Sequence, residues 1–408
     1  MQRRPSLLAR IRSSGGDFIS YGFLTLVVAH GLAHLLTRVH TTLFPTLRIE
    51  FNLSLAQLGL VAAIPPLCQS LLSIPTGLLS DRIGSRRLIS ASIGLMALGS
   101  VLTALAQSPA MLIAALSLTY ICSITYHPAA YSYISRLFKP SERSKALGLH
   151  GSGATLGIAL GPLSVSLIMG VLALGWRQVY FLWVVPLLLG AIAAHRIRSE
   201  PGEDVAVGGV DKGKNPPVTS LRSASLVMFL VFLSMETIAR STFDSFVALY
   251  LVDYRGVSQA LAGLLVGSNA LVGVVAAPLG GLLATRYGEK RWVLAVYALA
   301  YGCFVLTIAS PDNAISAFLY VSYGFLRILG MAANSAIMAM LSPGKQRGLA
   351  YALFFLPGSV MGAVAPFAAG SLAQVFGLTT VFYAVAAVAF VSLGVLRFGV
   401  RLPSSGAR

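Results

Sequence analysis

Long apolar runs alternate with short polar breaks along the whole chain. The runs fall near residues 18–45, 55–80, 86–107, 110–138, 144–171 and 176–196, and again near 223–251, 257–284, 290–310, 313–341, 347–374 and 378–400. Each is long enough to cross a hydrocarbon core of about 30 Å, which takes about 20 helical residues. The pattern predicts an all-α membrane protein of twelve transmembrane helices, arranged as six-helix bundles over 1–197 and 223–408. The one long polar stretch, "RIRSEPGEDVAVGGVDKGKNPPVTSLR" at 196–222, is rich in Gly, Pro and charge. It predicts a linker over 198–222. The first apolar run is too long for a signal peptide and lacks a small-residue cleavage pattern, so it is expected to remain as a span.

A mean hydropathy of +0.80 with 11% charged residues excludes an ordinary globular surface. The net charge of +17 raises the question of nucleic-acid binding, and the placement of the 30 Lys and Arg answers it. The N-terminus, alternate loops and the C-terminus, which share one side, hold 24 of them, whereas the opposite loops hold Arg48, Arg177 and Arg255. By the positive-inside rule the basic side is cytoplasmic, which places both termini inside a plasma or inner membrane and leaves no charge for nucleic acid to explain. Cys68, Cys122 and Cys303 all sit in apolar segments without metal-ligand spacing. They read as small core residues, and neither a metal nor a cofactor is expected.

The polar breaks themselves repeat. "GLLSDRIGSRR" at 77–87 returns as "GLLATRYGEKR" at 281–291, identical at six of eleven positions, with an offset of 204 residues. At the same offset "LSLAQLGL" (53–60) meets "VSQALAGL" (257–264), and "PSERSKALGL" (140–149) meets "GKQRGLAYAL" (344–353), which places Arg143 over Arg347. A parallel six-span repeat implies a two-fold axis along the membrane normal, with a shared cavity between the halves at mid-membrane.

These residues resemble the major facilitator superfamily of transporters over essentially the whole chain. Gly77, Asp81, Arg82, Gly84, Arg86 and Arg87 match its signature between the second and third spans, and the second copy has Thr285 where the first has Asp81. The resemblance implies a cytoplasmic gate in which Asp81 accepts hydrogen bonds from a helix N-terminus and pairs with a cation such as Arg136. The alternative is a tight basic turn that only obeys the charge rule. "GIALGPLSVS" (157–166) is similar to the fifth-span signature of antiporters in the superfamily, with Val165 and Ser166 where glycines are often found.

Within the superfamily the chain resembles the fosmidomycin-resistance type of efflux protein. His34, the turn from Phe51 to Gly59 and the pair His127-Pro128 carry the match. Two positions depart from it: Arg38 stands where an acid tends to follow the first-span histidine, and Ala129 where an acid tends to follow His-Pro. No proton-coupling carboxylate in the N-terminal half is therefore implied. His127 precedes a proline that can kink the fourth span, where an imidazole can titrate near neutral pH.

Ionisable groups at bilayer depth are costly and mark pathways or partners. His30, His34 and Arg38 stand at i, i+4, i+8 and predict one stripe on the first span. Glu236, Arg240 and Asp244 repeat that spacing on the seventh and predict an intrahelical ion-pair ladder, either structural or with one carboxylate as a proton site. Arg327 lies near the middle of the tenth, and neither it nor Arg38 has an acid at i±3 or i±4. The three arginines against two acids leave a mid-membrane charge of +1, which favours an anion, because guanidinium offers a planar fork for phosphate or carboxylate. Tyr126, Phe243, Phe246, Tyr320 and Tyr323 are candidate cavity walls. His150, near the basic side, is not expected in the site.

The sequence thus predicts a monomeric, proton-coupled secondary transporter that exports a small anionic or amphipathic compound by alternating access. A multidrug-type proton antiporter for lipophilic cations and an importer or exchanger of organic anions are the alternatives. No His-Glu-x-x-His pair, Gly-x-Ser-x-Gly elbow or Walker loop occurs to suggest an enzyme or an ATP-driven pump.

Overall fold

The computed structural model describes residues 18, 20–138, 140–198, 223–341 and 347–402, and among them every regular element is helical. Twelve helical segments are long and apolar enough to cross a membrane. In the first half they run Tyr21–Thr42, Leu55–Leu72, Ser85–Ala104, Pro109–Ile134, Lys145–Val171 and Trp176–His195. In the second they run Ala224–Tyr254, Gln259–Tyr287, Glu289–Ala309, Asn313–Met338, Gly358–Phe376 and Leu378–Gly399. Each falls on one of the expected apolar runs. The N-terminal cations Arg3 to Arg12, the linker beyond Arg198, Lys139 and Lys345 lie outside the described residues, as do the side chains of Asp81 and Arg82.

The repeat reappears in the ways that helices begin. Ser54 and Gln57 open the second span with a reciprocal capping box, Gln57 N donating to Ser54 Oγ at 3.2 Å and Ser54 N to Gln57 Oε1 at 2.8 Å. At the related position Ser258 caps the eighth span by accepting from Leu261 N at 3.2 Å. On the opposite side Gly84 and Gly288, also 204 residues apart, precede the third and ninth spans with φ of 86° and 85°. That left-handed backbone favours glycine and explains why both copies of the loop motif carry it.

The first span departs from the expected continuous helix. Its α-helix ends at Leu35, a 3-10 turn covers Leu36–Arg38, and helix resumes at Val39–Thr42. At three residues per turn the tighter segment rotates Arg38 out of the line set by His30 and His34, so the predicted three-residue stripe is a two-residue one.

The backbone forms two compact units. One comprises Met1–Arg38, Leu71–Gly161 and Gly175–Val210, and the other Val39–Ser70, Pro162–Leu174 and Asp211–Arg408. The larger unit therefore takes in the charge-poor ends of the first, second and fifth spans together with all six spans of the second half. Within it the pseudo-symmetry is visible in two close helix crossings. A Cβ on Gly59 would meet the Pro366 carbonyl oxygen at 2.7 Å, and one on Gly263 would meet the Pro162 carbonyl oxygen at 2.9 Å. Gly59 and Gly263, like Pro162 and Pro366, are 204 residues apart. Small residues let these backbones approach where lipid offers no hydrophobic drive to hold helices together. Around the crossings Arg48 pairs with Asp253 at 2.6 Å, Gln259 Nε2 donates to the Thr42 carbonyl at 2.7 Å, and Leu55 N donates to Gln374 Oε1 at 3.0 Å.

In the smaller unit the first and fifth spans meet in the same manner, with Gly153 against Val27 and Gly157 against Gly31 through their backbones. Gly157 of the antiporter-like segment thus has a packing role.

Replacing Gly263 by Ala gains helix propensity of about 1 kcal/mol but forces the neighbouring backbone apart at a cost of about 1–3 kcal/mol. Gly263→Ala is accordingly expected to lower the thermal unfolding temperature in detergent. Gly148→Ala, which adds a methyl group with no neighbouring atom within 4 Å, is expected to leave it unchanged or raise it.

Candidate functional site

The seventh span, Ala224–Leu249 continued by a π-turn at Tyr250–Tyr254, carries Glu236, Arg240 and Asp244 on one face of its α-helical part. Arg240 Nε lies 3.3 Å from Glu236 Oε1 and its Nη1 lies 4.0 Å from Asp244 Oδ2. The ladder forms because residues four apart stack on successive turns. The two carboxylates are about nine-tenths buried, and the arginine side chain keeps 26% of its surface exposed.

Arg240 reaches a cavity of about 380 Å³ inside the larger unit. Glu236, Arg240, Arg327 and the ninth-span Tyr297 give it charge and polarity, and Met331 and Leu233 give it apolar wall. Arg327 Nε is buried without a hydrogen-bond partner, and its guanidinium carbon stands 5.9 Å from the Tyr323 ring centroid. Glu236 and Asp244 are the carboxylates within its electrostatic reach. Two guanidiniums and one carboxylate face the cavity, an excess of one positive charge. Asn334 Nδ2 donates to the Tyr297 hydroxyl oxygen at 2.9 Å, which leaves the tyrosine proton to be donated elsewhere. With Thr237 and Ser335 also lining it, the cavity is rich in donors.

The expected aromatic walls are packing instead. Phe243 lies 4.0 Å from Phe304 and 5.0 Å from Phe382 between ring centroids, with Tyr320 and Tyr323 edge-on to it. Phe246 is fully buried and lies 5.9 Å from Phe44. Tyr126 donates to the Leu26 carbonyl at 2.7 Å from a fully buried position in the smaller unit. Tyr297, the ring that does line the cavity, is not among the residues the sequence points to; nor is Asn334. The string "NS" at 334–335 stands seven and eight residues after Arg327, two turns along the same face, and is the signal that marks it.

His34 and His127 lie together in the smaller unit, with ring centroids 5.0 Å apart. His30 joins them, and His150, contrary to expectation, stacks on His30 at 4.0 Å. The close crossing of Gly153 and Gly157 with the first span brings that ring in. Arg38 stands on the 3-10 turn that follows the helix of His30 and His34. The four charges of the seventh and tenth spans and the four histidines therefore form two clusters, one in each unit. Arg38, counted above toward a charge of +1, is not in the arginine-rich one, whose own lining supplies the excess.

At the loop motif, Arg136 donates to Ser132 Oγ at 2.9 Å and to Ser85 Oγ at 2.8 Å, which ties the end of the fourth span to the start of the third. Pairing of Asp81 with Arg136 lies outside the described residues. In the second copy Lys290 Nζ, the counterpart of Arg86, donates to the carbonyls of Arg397 and Val400 at 2.9 and 2.6 Å, capping the end of the twelfth span.

Twelve spans in a pseudo-symmetric repeat with buried charges on the seventh and tenth define a polytopic transporter architecture. The profile of the Major Facilitator Superfamily matches residues 26–325 and 230–408, and the chain belongs to that superfamily. It is 27% identical over 258 residues to an MFS-type efflux pump of Mycolicibacterium smegmatis, covering 60% of this chain and 59% of the pump. It is 24% identical to a nitrite extrusion protein of Bacillus subtilis, over 86% of this chain and 87% of that one. To the fosmidomycin resistance protein of Escherichia coli it is 23% identical over 82% of each. A bacterial homologue of the human lysosomal transporter Spinster, solved in an inward-facing and occupied conformation, superposes with a TM-score of 0.79 over 94% of this chain and 97% of its own, at 18% identity.

Removing one cation from the ladder leaves buried carboxylate charge in excess, whereas removing a cation and a carboxylate together keeps the balance with Arg327. Arg240→Met is expected to destabilise the chain by roughly 1–3 kcal/mol. The double change Arg240→Met, Asp244→Asn, which leaves Glu236 to balance Arg327, is expected to recover part of that loss in the same thermal unfolding assay.

Proposed function

We propose that this superfamily transporter is a secondary active exporter of a small anionic or amphipathic compound, with Arg240 and Arg327 as the substrate-facing cations. The observation that carries the reading is the donor-rich cavity with two guanidiniums against one carboxylate, one of them with a buried, unbonded Nε. An anion entering it would replace water as the acceptor for Arg327 and draw Arg240 from Glu236, leaving that carboxylate to take up a proton. Proton coupling through Glu236 or Asp244, with antiport as the mode, follows from this exchange of partners. The anion class is supported by the relative named for nitrite extrusion, and the direction by that name and by those of the efflux pump and the fosmidomycin resistance protein.

In this reading, supported by the charge asymmetry and the repeat, both termini are cytoplasmic and six-helix bundles at 1–197 and 223–408 act as a monomer in a plasma or inner membrane. Gly77, Asp81, Arg82, Gly84, Arg86 and Arg87 serve with Arg136 as the cytoplasmic gate. His34 and His127, with Arg38, complete the set of coupling or substrate residues in the N-terminal half.

A ligand that binds only the folded state raises its stability by about 2.7 kcal/mol at a hundred times its dissociation constant. Detergent-purified chain is expected to be stabilised by anions from a panel of nitrite, nitrate, phosphonates and carboxylates, with the shift lost in Arg240→Ala and Arg327→Ala. Stabilisation by lipophilic cations, undiminished by either change, would assign the cavity to a multidrug-type antiporter.

A further inference from the structure

Three imidazoles in the smaller unit form a nearly equilateral triangle. His30 and His34 stand one turn apart on the helix Tyr21–Leu35, and His127 projects from the fourth span ahead of Pro128. Their ring centroids are 5.0, 5.1 and 5.0 Å apart. One nitrogen from each ring lies within 4.8 Å of the other two. Two histidines at i and i+4 present their rings from one helix face, which is the spacing that chelates a metal, and the third supplies a ligand from a neighbouring helix.

The hydrogen bonds around the triangle fix which nitrogens are available. His30 Nδ1 lies 2.8 Å from the His150 carbonyl oxygen. A carbonyl only accepts, so Nδ1 carries the proton and Nε2 keeps its lone pair. That Nδ1–H to carbonyl bond is the support that holds a metal-bound imidazole in orientation. His150 is oriented in turn: the Tyr126 hydroxyl gives its single proton to the Leu26 carbonyl, so His150 Nε2, 2.9 Å from that oxygen, must be the donor. His127 Nδ1 is buried with no hydrogen-bond partner. Burying a polar nitrogen unsatisfied is costly, and a ligand supplies the missing partner.

We propose that His30, through Nε2, with His34 and His127 binds one divalent transition-metal ion of the zinc class. Three neutral imidazoles suit Zn, Co, Ni and Cu over Mg or Ca. Metal–nitrogen bonds of about 2.0–2.1 Å in tetrahedral geometry bring the donor atoms about 3.3 Å apart, a closure from 4.8 Å that ring rotation about the side-chain torsions provides. Three protein ligands leave a fourth position open, as in sites that exchange water or a bound anion rather than in closed structural ones. The proposal stands on the smaller unit alone, is independent of the anion cavity, and excludes proton uptake at the ligating nitrogens of His34 and His127 while the metal is bound.

The test is metal titration of the tag-free, chelator-stripped, full-length chain in detergent. Cobalt(II) is expected to bind at one per chain with the intense visible absorption of a tetrahedral or five-coordinate centre, and zinc(II) to displace it. His34→Gln and His127→Gln should each weaken binding at least about tenfold, while His195→Gln, at an exposed position away from the cluster, should leave it unchanged. Should either cluster variant fail to fold, copper(II) bound to the unaltered chain gives the same answer through nitrogen hyperfine splitting from three ligands. A weak octahedral cobalt spectrum, a copper signal with fewer than three nitrogens, or tight binding that survives His34→Gln overturns the site and leaves the histidines as a hydrogen-bonded, stacked packing cluster.

Discussion

The cost of holding charge at bilayer depth is the constraint on which this structure depends. An isolated arginine on a spanning helix is unfavourable by at least about 2.5 kcal/mol even on the mildest scale, and this chain carries Arg240 and Arg327 within its second half. Arg240 is compensated within its own helix by Glu236 at 3.3 Å and Asp244 at 4.0 Å. Arg327 is compensated only through space, by the same two carboxylates and the face of Tyr323. Two cations thus share two acids, of which Glu236 lines the cavity with them. In the proposed function an entering anion would change how the four charges are partnered, and that competition would couple substrate to proton.

A second requirement is that helices approach closely without a hydrophobic drive between them. Glycine and proline meet this at repeat-related crossings, Gly59 with Pro366 and Gly263 with Pro162 in one unit, and Gly153 and Gly157 with the first span in the other. The last of these has a chemical consequence, because it seats His150 on His30 and fixes the tautomers of both rings. Packing and site chemistry are therefore linked by the same short residues.

The spans, the repeat and the ladder were legible in the sequence because each has a one-dimensional signature: apolar length, a 204-residue offset, and acid and base four residues apart. The 3-10 turn at Leu36–Arg38 was not, since no proline or glycine marks it, and it breaks the helical period that Arg38 shares with the histidines in the sequence. Phe243 and Tyr320 read as cavity wall but pack as core, because periodicity says which face a ring is on and not what lies opposite. Tyr297 and His150 gained their roles from neighbours more than 30 and 100 residues away, the contacts being Asn334 and His30. The proximity of His127 to the first-span pair is of the same kind, a tertiary fact with no local pattern.

The central claim is that Arg240 and Arg327 bind an anion that the chain carries across a membrane. The most direct measurement is flux in proteoliposomes of the anion that most stabilises the folded chain, under an imposed pH gradient. The account predicts flux that requires the gradient and falls to the protein-free background in Arg240→Ala, although that variant still folds and inserts. Wild-type flux in Arg240→Ala would contradict it.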